Sequence, residues 1–476
     1  MTEFKEYIKK IIKLNNLDCS GKRASIIDEF VADNENVIVH SQILDAQNSL
    51  IFKFMSKLKL YDIINQHLQI PNAAVNKFYE YKIDIPALGK NEIVLTKIDD
   101  LQQFGLQYNN ETEILSGTPI ISGDFKINLQ FRIKGEDDEA PLNIKPISLI
   151  INADPKSLWK NIPSDDGRDD EWKLKNYWKN DVVKDFQALG DKHIVVASTR
   201  GRSHANVGSL REDDYAFAQY KNTGWSIVCV ADGAGSAKLS RLGSKIASEG
   251  IIDYFRNNFN EETSAEFDIL IKDHRENAVE ETQKKLNVFI YNNLQKATFA
   301  IHKKLDETAN KLEVQLKDFH STLIFALFKK FEFGYAVLTF GVGDCPIGLI
   351  NKDQSEIKLM NWLDVGEFGG GTRFITMPEI FSSDKFQTRL GFKIIDDFSY
   401  LILMTDGIYD PKFIVEASLE KLEKWKEFLA DLDGNNDEKI KVDFKKGNKE
   451  IANQLSAWMN FWSPGNHDDR TLAIVF

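Results

Sequence analysis

Short apolar runs that border an aspartate are the strongest constraint on how this chain folds. Each run has the length of a β-strand, and all lie after residue 190. They are Trp225–Ala231 before Asp232-Gly233, Tyr335–Phe340 before Gly343-Asp344, Tyr400–Met404 before Asp406-Gly407, and Thr471–Phe476 after Asp468-Asp469. Buried strands that end in carboxylates cost stability unless the charges are paired or bind cations.

Hairpin topology predicts that two of these carboxylates are neighbours. The apolar strand Tyr215–Tyr220 starts just after Asp213, and the turn Lys221–Gly224 joins it to the strand that ends at Asp232. In an antiparallel hairpin, the residue before the first strand and the residue after the second lie at the same end. We therefore expect Asp213 beside Asp232.

Two further pairs follow from the same reasoning. His320 opens one strand and Asp344 follows the next, so these residues should share an end. If the strand before Asp406 runs antiparallel to the final strand, Asp406 meets Asp468. Carboxylates at this density are tolerated when divalent cations lie between them, and oxygen ligands suit Mg²⁺ or Mn²⁺ rather than zinc. A single Asp-Gly after a strand is usually a turn, so the metal site depends on the whole set.

In this order the acidic residues resemble the type 2C family of metal-dependent protein phosphatases. The similarity extends over residues 190–476, and the segment Gly201–His204 with Gly208 resembles a bacterial branch of the family. The motifs that carry it are Glu212-Asp213, Val230–Gly235, His320–Thr322, Val342–Cys345, Met404–Gly407 and Asp468–Thr471.

The resemblance implies an α+β fold, with an antiparallel β-sandwich of two sheets flanked by helices on both faces. It also implies two Mn²⁺ or Mg²⁺ ions at one end, with a water between them as the nucleophile. Asp344 would help to hold a third, weaker ion. Asp213, Asp232, Asp406 and Asp468 would be catalytic, and the implied metal ligands are Glu212, Asp213, Asp232, Gly233, Asp344, Asp406 and Asp468.

The site departs from the family pattern where the substrate phosphate is gripped. Many members carry an arginine at the position that Gly208 occupies here. Arg200, Arg202 and Arg211 are candidate replacements, and we predict Arg202 and Arg211 as substrate-binding residues. Arg211 could equally be a solvated charge at the end of a strand.

A second departure concerns the proton donor. Ala234 occupies the position at which family members from animals often have a histidine. His204, His320 and His467 are nearby candidates, and His204 is predicted to bind substrate. For each of the three, a structural role is the favoured alternative.

The region before residue 190 carries no catalytic pattern. Leu50, Ile51, Phe54, Met55 and Leu58 fall on one helical face, and a similar run near the start predicts a helical region at residues 1–70. Alternating apolar residues predict strands later, and the segment 115–131 resembles bacterial immunoglobulin-like repeats. We therefore predict a small all-β immunoglobulin-like domain, a β-sandwich, at residues 75–153.

The segment 154–189 is rich in Asp, Lys and Trp and is predicted to be a linker. Its Trp159, Trp172 and Trp178 could dock it onto a neighbouring domain. The phosphatase-like domain then occupies residues 190–476.

Charge and composition exclude several partners. The formal net charge of −12 argues against nucleic acid, because a nucleic-acid binder neutralises phosphates with Lys and Arg. It argues weakly against an anionic membrane surface. The early charges of the N-terminus do not fit a signal peptide, and no apolar stretch of about 18 residues suggests a membrane span. We expect a cytoplasmic protein.

These features favour hydrolysis of phosphoserine or phosphothreonine in protein substrates. The absence of an arginine at Gly208 slightly favours an alternative, a catalytically weak phosphatase fold used for binding or regulation. A phosphohydrolase of a small phosphorylated metabolite is a third reading. Helical and immunoglobulin-like modules usually recruit partners, which favours a protein substrate, with a cognate kinase as a candidate partner.

Overall fold

The chain folds into two compact units, Met1–Leu158 and Trp159–Phe476. The structure is a computed structural model, and it describes residues 2–83, 93–134, 139, 141–164, 179–364 and 371–476. Of the predicted docking tryptophans, Trp172 and Trp178 lie outside the described residues. None of the described helices is both long enough and apolar enough to cross a bilayer.

The first unit consists of three helices followed by strands. The helices lie within residues 1–70, the region predicted to be helical. In chain order the elements are α1 (Thr2–Leu14), α2 (Ala24–Ala32), α3 (Asn34–Asn65), β1 (Ala73–Ala74), β2 (Tyr79–Lys82), β3 (Ile93–Ile98), β4 (Leu106–Asn109), β5 (Ile114–Gly117), β6 (Gly123–Ile133) and β7 (Asn143–Asn152).

The strands of this unit form two sheets that share one apolar core. One sheet has the order β1-β7-β6-β3 and the other β2-β5-β4. The period-2 pattern of β6 buries Ile127, Leu129 and Phe131 against Leu106 and Leu115 of the second sheet. The assignment of residues 75–153 to an immunoglobulin-like domain stays a prediction.

The second unit alternates strands and helices. In chain order its elements are β8 (Val182–Leu189), β9 (Lys192–Thr199), α4 (Arg202–Val207), β10 (Asp214–Tyr220), β11 (Trp225–Ala231), α5 (Ser240–Asn258), α6 (Glu261–Glu276), α7 (Glu280–Lys311), β12 (Leu323–Phe331), β13 (Gly334–Val342), β14 (Ile347–Asn351), β15 (Ile357–Leu359), α8 (Ser383–Phe386), β16 (Leu390–Ile395), β17 (Phe398–Met404), α9 (Asp406–Phe413), α10 (Leu422–Leu432), α11 (Ile451–Trp458) and β18 (Arg470–Val475).

Two antiparallel sheets pack face to face in this unit. Their strand orders are β10-β11-β12-β13-β16 and β15-β14-β17-β18-β9-β8. The core between them holds Val228 and Ile324 from the first sheet and Ile194, Leu401 and Ala473 from the second. The central strands β11 and β18 are buried along their whole length, which explains their near-continuous apolar sequences.

Helices cover the outer face of each sheet, as the α+β prediction requires. Leu286, Ile290 and Leu294, at a helical spacing on α7, pack with α5 and α6 against the first sheet. Trp425 of α10 and Trp458 of α11 pack against the second. Apolar side chains therefore fill the space between the two sheets and the space between each sheet and its helices. The acidic residues lie at the ends of the strands.

The predicted linker is partly integrated into this unit. The strand β8, inside the segment 154–189, pairs with β9 from Val182↔Thr199 to Leu189↔Lys192. Trp159 contacts the ring of His467, with the ring centroids 4.3 Å apart. The linker prediction missed β8 because an edge strand that is mostly exposed has no long apolar run to reveal it.

Candidate metal centre

The hairpin β10–β11 brings Asp213 next to Asp232. Asp214 pairs with Ala231 at the open end of the hairpin, so the residues just outside this pair share an end. The topological prediction is confirmed. The backbone of Asp232 is also held by Thr322: the Asp232 N–H donates to Thr322 Oγ1 at 2.8 Å, and the Thr322 N–H donates to the Asp232 carbonyl at 2.8 Å.

The other two predicted pairings are also present. Strand β17 runs antiparallel to β18 with Met404 opposite Leu472. Asp406, which follows β17, and Asp468, which precedes β18, therefore lie at the same end of this strand pair. Strands β12 and β13 pair Leu323 with Val342, which brings Asp344 to the same end. The acidic residues therefore come from three separate strand pairs.

The carboxylates lie close enough to perturb one another. Ligand atoms of Asp232, Asp344 and Cys345 all lie within 4.8 Å of each other. Burial raises the pKa of Asp232 well above its usual range, and the charges of Asp406 and Asp213 raise it further. Burial and the charge of Asp468 raise the pKa of Asp406 in the same way. The shifts show mutual repulsion among acids at one site.

This arrangement fits divalent cations. In the part of the chain that the structure describes, no lysine or arginine forms an ion pair with Asp232, Asp344, Asp406 or Asp468. All four side chains keep some contact with solvent. A cluster of partly exposed carboxylates without a protein cation is the donor set that Mg²⁺ or Mn²⁺ prefers.

Two glycines allow the backbone to approach at this end. A methyl group on Gly407 would lie 1.9 Å from the carbonyl oxygen of Asp469, and one on Gly233 would lie 2.8 Å from that of Glu212. Any larger residue would push apart the loops that carry the acids. The Asp-Gly sequences are therefore required by close packing, whatever their role toward an ion.

Asp213 is buried under the cluster. Its Oδ2 accepts hydrogen bonds from the hydroxyls of Thr405 and Thr471, both at 2.8 Å. Burial raises the pKa of Asp213 to about 7, against the effect of these two bonds. Thr405, just after β17, and Thr471, in β18, thus orient the carboxylate of Asp213.

Glu212 and Asp469 form a second acidic group beside the first. Asp469 is buried and accepts from the N–H of Gly201 at 2.6 Å, from the N–H of Glu212 at 2.5 Å and bonds His204 Nδ1 at 2.9 Å. Burial raises the pKa of Glu212 to about 7, and its buried Oε2 accepts no hydrogen bond among the described residues, with His204 Nε2 3.9 Å away. An unsatisfied buried oxygen is a candidate cation ligand.

His204 is charged in this arrangement. Burial by itself lowers the pKa of His204, but the hydrogen bond and charge of Asp469 outweigh it and raise the pKa to about 9. Burial by itself raises the pKa of Asp469. The hydrogen bond and charge of His204 outweigh this effect and keep the pKa of Asp469 below its usual range. The side chain predicted to bind substrate is thus one half of a buried ion pair.

The two arginines predicted to grip phosphate are engaged elsewhere, and this corrects the prediction. Arg211 is buried and donates to the Asn180 carbonyl at 3.1 Å, to Ser198 Oγ at 2.5 Å and to the Asp213 carbonyl. It is also not a solvated charge. Its guanidinium satisfies backbone oxygens beneath the site, since buried carbonyls need donors.

Arg202 and Arg200 are held in a similar way. Arg202 donates to the carbonyls of Phe461 and Asn460 at 2.9 and 2.7 Å and lies over the ring of Trp462. Arg200 forms an ion pair with Asp181 at 3.0 Å and donates to backbone carbonyls. Both side chains connect loops of the unit.

The remaining histidine candidates have structural contacts. His320 bonds Thr376 Oγ1 at 2.6 Å and stacks on Phe374, and burial lowers the pKa of its ring. The ring of His467 packs against Trp159 and Trp462. These contacts favour the structural alternative for both residues.

Sequence reasoning missed Lys179. This buried side chain donates to the Asp213 carbonyl at 3.0 Å and to Ser244 Oγ at 2.9 Å, and pairs with Asp214 at 3.0 Å. Burial lowers the pKa of Lys179 to about 8. No sequence pattern near Lys179 predicts this burial, because the residue lies in the charged segment that we predicted to be a linker.

A cavity of about 350 Å³ next to Glu212 was missed as well. Lys238, just before α5, and Arg241, in its first turn, line it together with Ser209 and Gly235, and Arg241 is buried and donates to the Lys238 carbonyl at 3.2 Å. The helix N-terminus and two basic side chains make this side of the acidic cluster positive. The sequence signal was available, since both residues follow the Asp232-Gly233 motif closely.

The family model for protein phosphatase 2C matches residues 200–459, more than half of the chain. The chain belongs to the protein phosphatase 2C family. In this family member, Asp468 and Asp469 lie beyond the matched segment, immediately before β18. No curated protein matches the chain in sequence.

Several solved structures are similar to this phosphatase 2C chain. The serine/threonine phosphatase Stp1 from Staphylococcus aureus is 17% identical, with 61% of this chain and 95% of Stp1 covered and a TM-score of 0.34. The catalytic domain of the serine/threonine protein phosphatase PstP, solved with two manganese ions, is 13% identical, with 62% and 97% covered and a TM-score of 0.35. At these values the similarity adds nothing to the family match.

Proposed function

We propose that this protein removes phosphate from phosphoserine or phosphothreonine in other proteins and that it requires Mn²⁺ or Mg²⁺. The observation that carries the proposal is the convergence of Asp232, Asp344, Asp406 and Asp468 without a lysine or arginine partner among the described residues. Family membership gives this acidic site its expected reaction.

The proposal assigns a role to each acid. Asp232 would be a ligand of both cations, Asp406 and Asp468 would be further ligands of one, and Glu212 and Asp213 would serve the other, directly or through water. The Gly233 carbonyl would be a further oxygen ligand, and Asp344 would help to hold a third cation. When bound, such cations make a water molecule easier to deprotonate and neutralise charge on the phosphoryl oxygens.

Side chains around the acids support hydrolysis in distinct ways. The hydroxyls of Thr405 and Thr471 fix the carboxylate of Asp213. The ion pair of His204 and Asp469 fixes the loop that carries Glu212. We propose that Lys238 orients the substrate phosphate, in place of the arginines considered from the sequence.

Cys345 is not a nucleophile in this proposal. Its side chain is buried, and burial raises the pKa of the Cys345 thiol well above its usual range. The thiolate that covalent catalysis needs is therefore disfavoured. Direct attack by water on phosphorus requires no cysteine.

One observation favours the alternative of a catalytically weak binding or regulatory module. The guanidinium groups of Arg200, Arg202 and Arg211 donate hydrogen bonds to protein groups, so none of them is placed to bind phosphate as the sequence suggested. The alternative predicts tight binding of a phosphopeptide with negligible turnover. A small phosphorylated metabolite as substrate is a third outcome of the same measurements.

The test is release of phosphate from a phosphothreonine peptide in the presence of Mn²⁺. We expect activity in the wild-type chain and a loss of at least about 100-fold in Asp232→Ala and in Asp406→Asn, since each removes a ligand on which catalysis depends. The matched control is Asp353→Asn, an exposed aspartate in a distant turn.

Three outcomes separate the readings. Equal activity in Asp232→Ala, Asp406→Asn and the wild type would remove the mechanism. Phosphopeptide binding without turnover in the wild type supports the regulatory module. Faster hydrolysis of small phosphate esters than of phosphopeptides and a phosphoprotein supports the metabolite enzyme.

A further inference from the structure

The C-terminal part of α3 presents an apolar face to solvent. This face, called the α3 seam below, coincides with the helical run that the sequence pattern marked as a packing surface. Phe54 is 66% exposed, Tyr61 65% and Ile51 60%. The seam consists of Leu44, Leu50, Ile51, Phe54, Met55, Leu58 and Tyr61, all of which are exposed.

The seam has the spacing of a coiled coil. Leu44, Ile51 and Leu58 recur every seven residues, and Phe54 and Tyr61 form a second series three residues after the last two. A helix that buries these two series against another helix repeats its contacts every 3.5 residues. The seam is thus a stripe along one side of α3, with Leu50 and Met55 flanking it.

Near the C-terminal end of α3, the side opposite the seam is packed. Ile63 is buried in the core of the first unit and Leu60 packs against it. Lys145 of β7 donates to the carbonyls of Ile63 and Ile64 at the end of the helix, at 2.9 and 2.8 Å. These contacts fix the rotation of α3 on its own sandwich and direct the seam away from it.

The same side of α3 is a packing face nearer its start. There His40, one turn before Leu44 in the stripe, stacks on Phe4 of α1 with the rings 4.2 Å apart, and Tyr7 lies 4.9 Å away. Within the described residues, α1 covers the stripe only at this end. The seam begins where that cover stops.

The exposed area matches what a specific interface needs. Seven half-exposed large side chains offer on the order of 100 Å² each, about 700 Å² in all. A standard protein interface buries about 800 Å² on each partner. Isolated exposed apolar residues are ordinary, but a continuous stripe of this size marks a binding surface.

We infer that the α3 seam packs against the α3 seam of a second copy of this chain, as a parallel two-stranded coiled coil. A repeat of seven is self-complementary, and a two-fold dimer is the commonest assembly of identical chains. Charge supports the parallel orientation. Lys57 and Asp62 flank the seam five residues apart, at the positions where parallel strands form ion pairs across the interface.

The oligomeric state of the full chain tests this inference. We expect sedimentation equilibrium at micromolar concentration to give twice the mass of the chain. Phe54→Lys should weaken the dimer roughly 30-fold or more, as loss of a central aromatic anchor does. The matched control is Phe52→Lys, because Phe52 is 71% exposed on the same helix but lies outside the seam, and it should leave the dimer intact.

A cross-link tests the orientation. In a chain whose partly exposed Cys19 is replaced by Ser, Tyr61→Cys should form an intermolecular disulfide on oxidation and Phe52→Cys should not. A dimer in which Tyr61→Cys fails to cross-link overturns the parallel seam.

A monomeric wild-type chain would overturn the inference, whether or not it binds lipid vesicles or another protein. Equal weakening by Phe52→Lys and Phe54→Lys would also do so. None of these measurements depends on phosphatase activity, so the proposed function and the dimer fail independently. Circular dichroism of each variant shows whether α3 still folds.

Discussion

Asp232 shows at the scale of one residue how the site trades stability for cation binding. Its carboxylate lies among Asp406, Asp213 and Asp468, and its pKa is raised well above the usual range by burial and by their charges. An acid whose pKa is raised on folding destabilises the folded chain wherever it must be ionised. Without a cation, Asp232 therefore works against the fold at neutral pH.

We expect Asp232→Asn to raise the melting temperature of the cation-free protein at neutral pH, because it removes one repelling charge while keeping the shape of the side chain. The same change should abolish stabilisation by Mn²⁺ and reduce phosphate release at least about 100-fold. Calorimetry with and without chelator checks the stability. A lower melting temperature for the cation-free variant than for the wild type would contradict this account.

The pair of His204 and Asp469 makes a prediction about pH. The pKa of His204 is about 9 in the folded chain, above its ordinary value. A histidine whose pKa is raised on folding stabilises the protein fully below about pH 6.5, and the effect is lost as the pH rises through about 9.

We therefore expect His204→Gln to cost on the order of 3 kcal/mol in unfolding free energy at pH 6 and far less above pH 9. Urea unfolding across this range, in the presence of chelator, measures the difference. His274→Gln, on α6, serves as the control. A cost for His204→Gln that does not change with pH would show that the ion pair is not the source of the stability.

At the scale of elements, the site depends on how closely the ends of strands approach. The first turn of α9 packs on the chain that enters β18, and Gly407 makes this contact without a side chain. The hydroxyls of Thr405 and Thr471 then reach Asp213 from both strands. The segment between β17 and α9 thus helps to position Asp213, Asp406 and Asp468.

Gly407→Ala should destabilise the protein by on the order of 2 kcal/mol, since its methyl group would lie 1.9 Å from the Asp469 carbonyl oxygen and must displace it. Phosphate release should fall as well, because Asp406 and Asp468 move apart. Gly447→Ala is the matched control, as a methyl group there meets no atom within 4 Å. Comparable urea midpoints for the two variants would refute the argument.

At the scale of the whole molecule, the two compact units have separate apolar cores. The acidic cluster belongs to the unit Trp159–Phe476, so only this unit should respond to cations. The α3 seam belongs to the unit Met1–Leu158, so only this unit should respond to changes in self-association. The two properties can be measured in one intact chain.

We expect Mn²⁺ to raise the melting transition of the unit Trp159–Phe476 by several degrees and to leave that of Met1–Leu158 unchanged. Binding at 100 times the dissociation constant stabilises the folded state by about 2.7 kcal/mol. Differential scanning calorimetry with added Mn²⁺ and with chelator gives both transitions, and Asp232→Ala is the control. An equal shift in both transitions would argue against a cation site in the second unit.

The sequence alone determined which acids could meet, because strand length, turn position and antiparallel pairing are local properties. Asp213 and Asp232 flank one hairpin, so their proximity follows from the register of that hairpin. The two-sheet sandwich was implied by the resemblance to the family. The edge strand β8 was not predicted from the sequence, because its mostly exposed residues form no apolar pattern.

Tertiary structure decided where the long side chains point and what they contact. Arg211 turns inward to backbone carbonyls, Lys179 crosses from an apparent linker to Asp214, and Asp469 rather than Asp468 receives His204. The spacing of residues along a chain does not encode such contacts. A flexible basic side chain takes the partner that burial leaves unsatisfied, and that partner exists only once distant strands have packed.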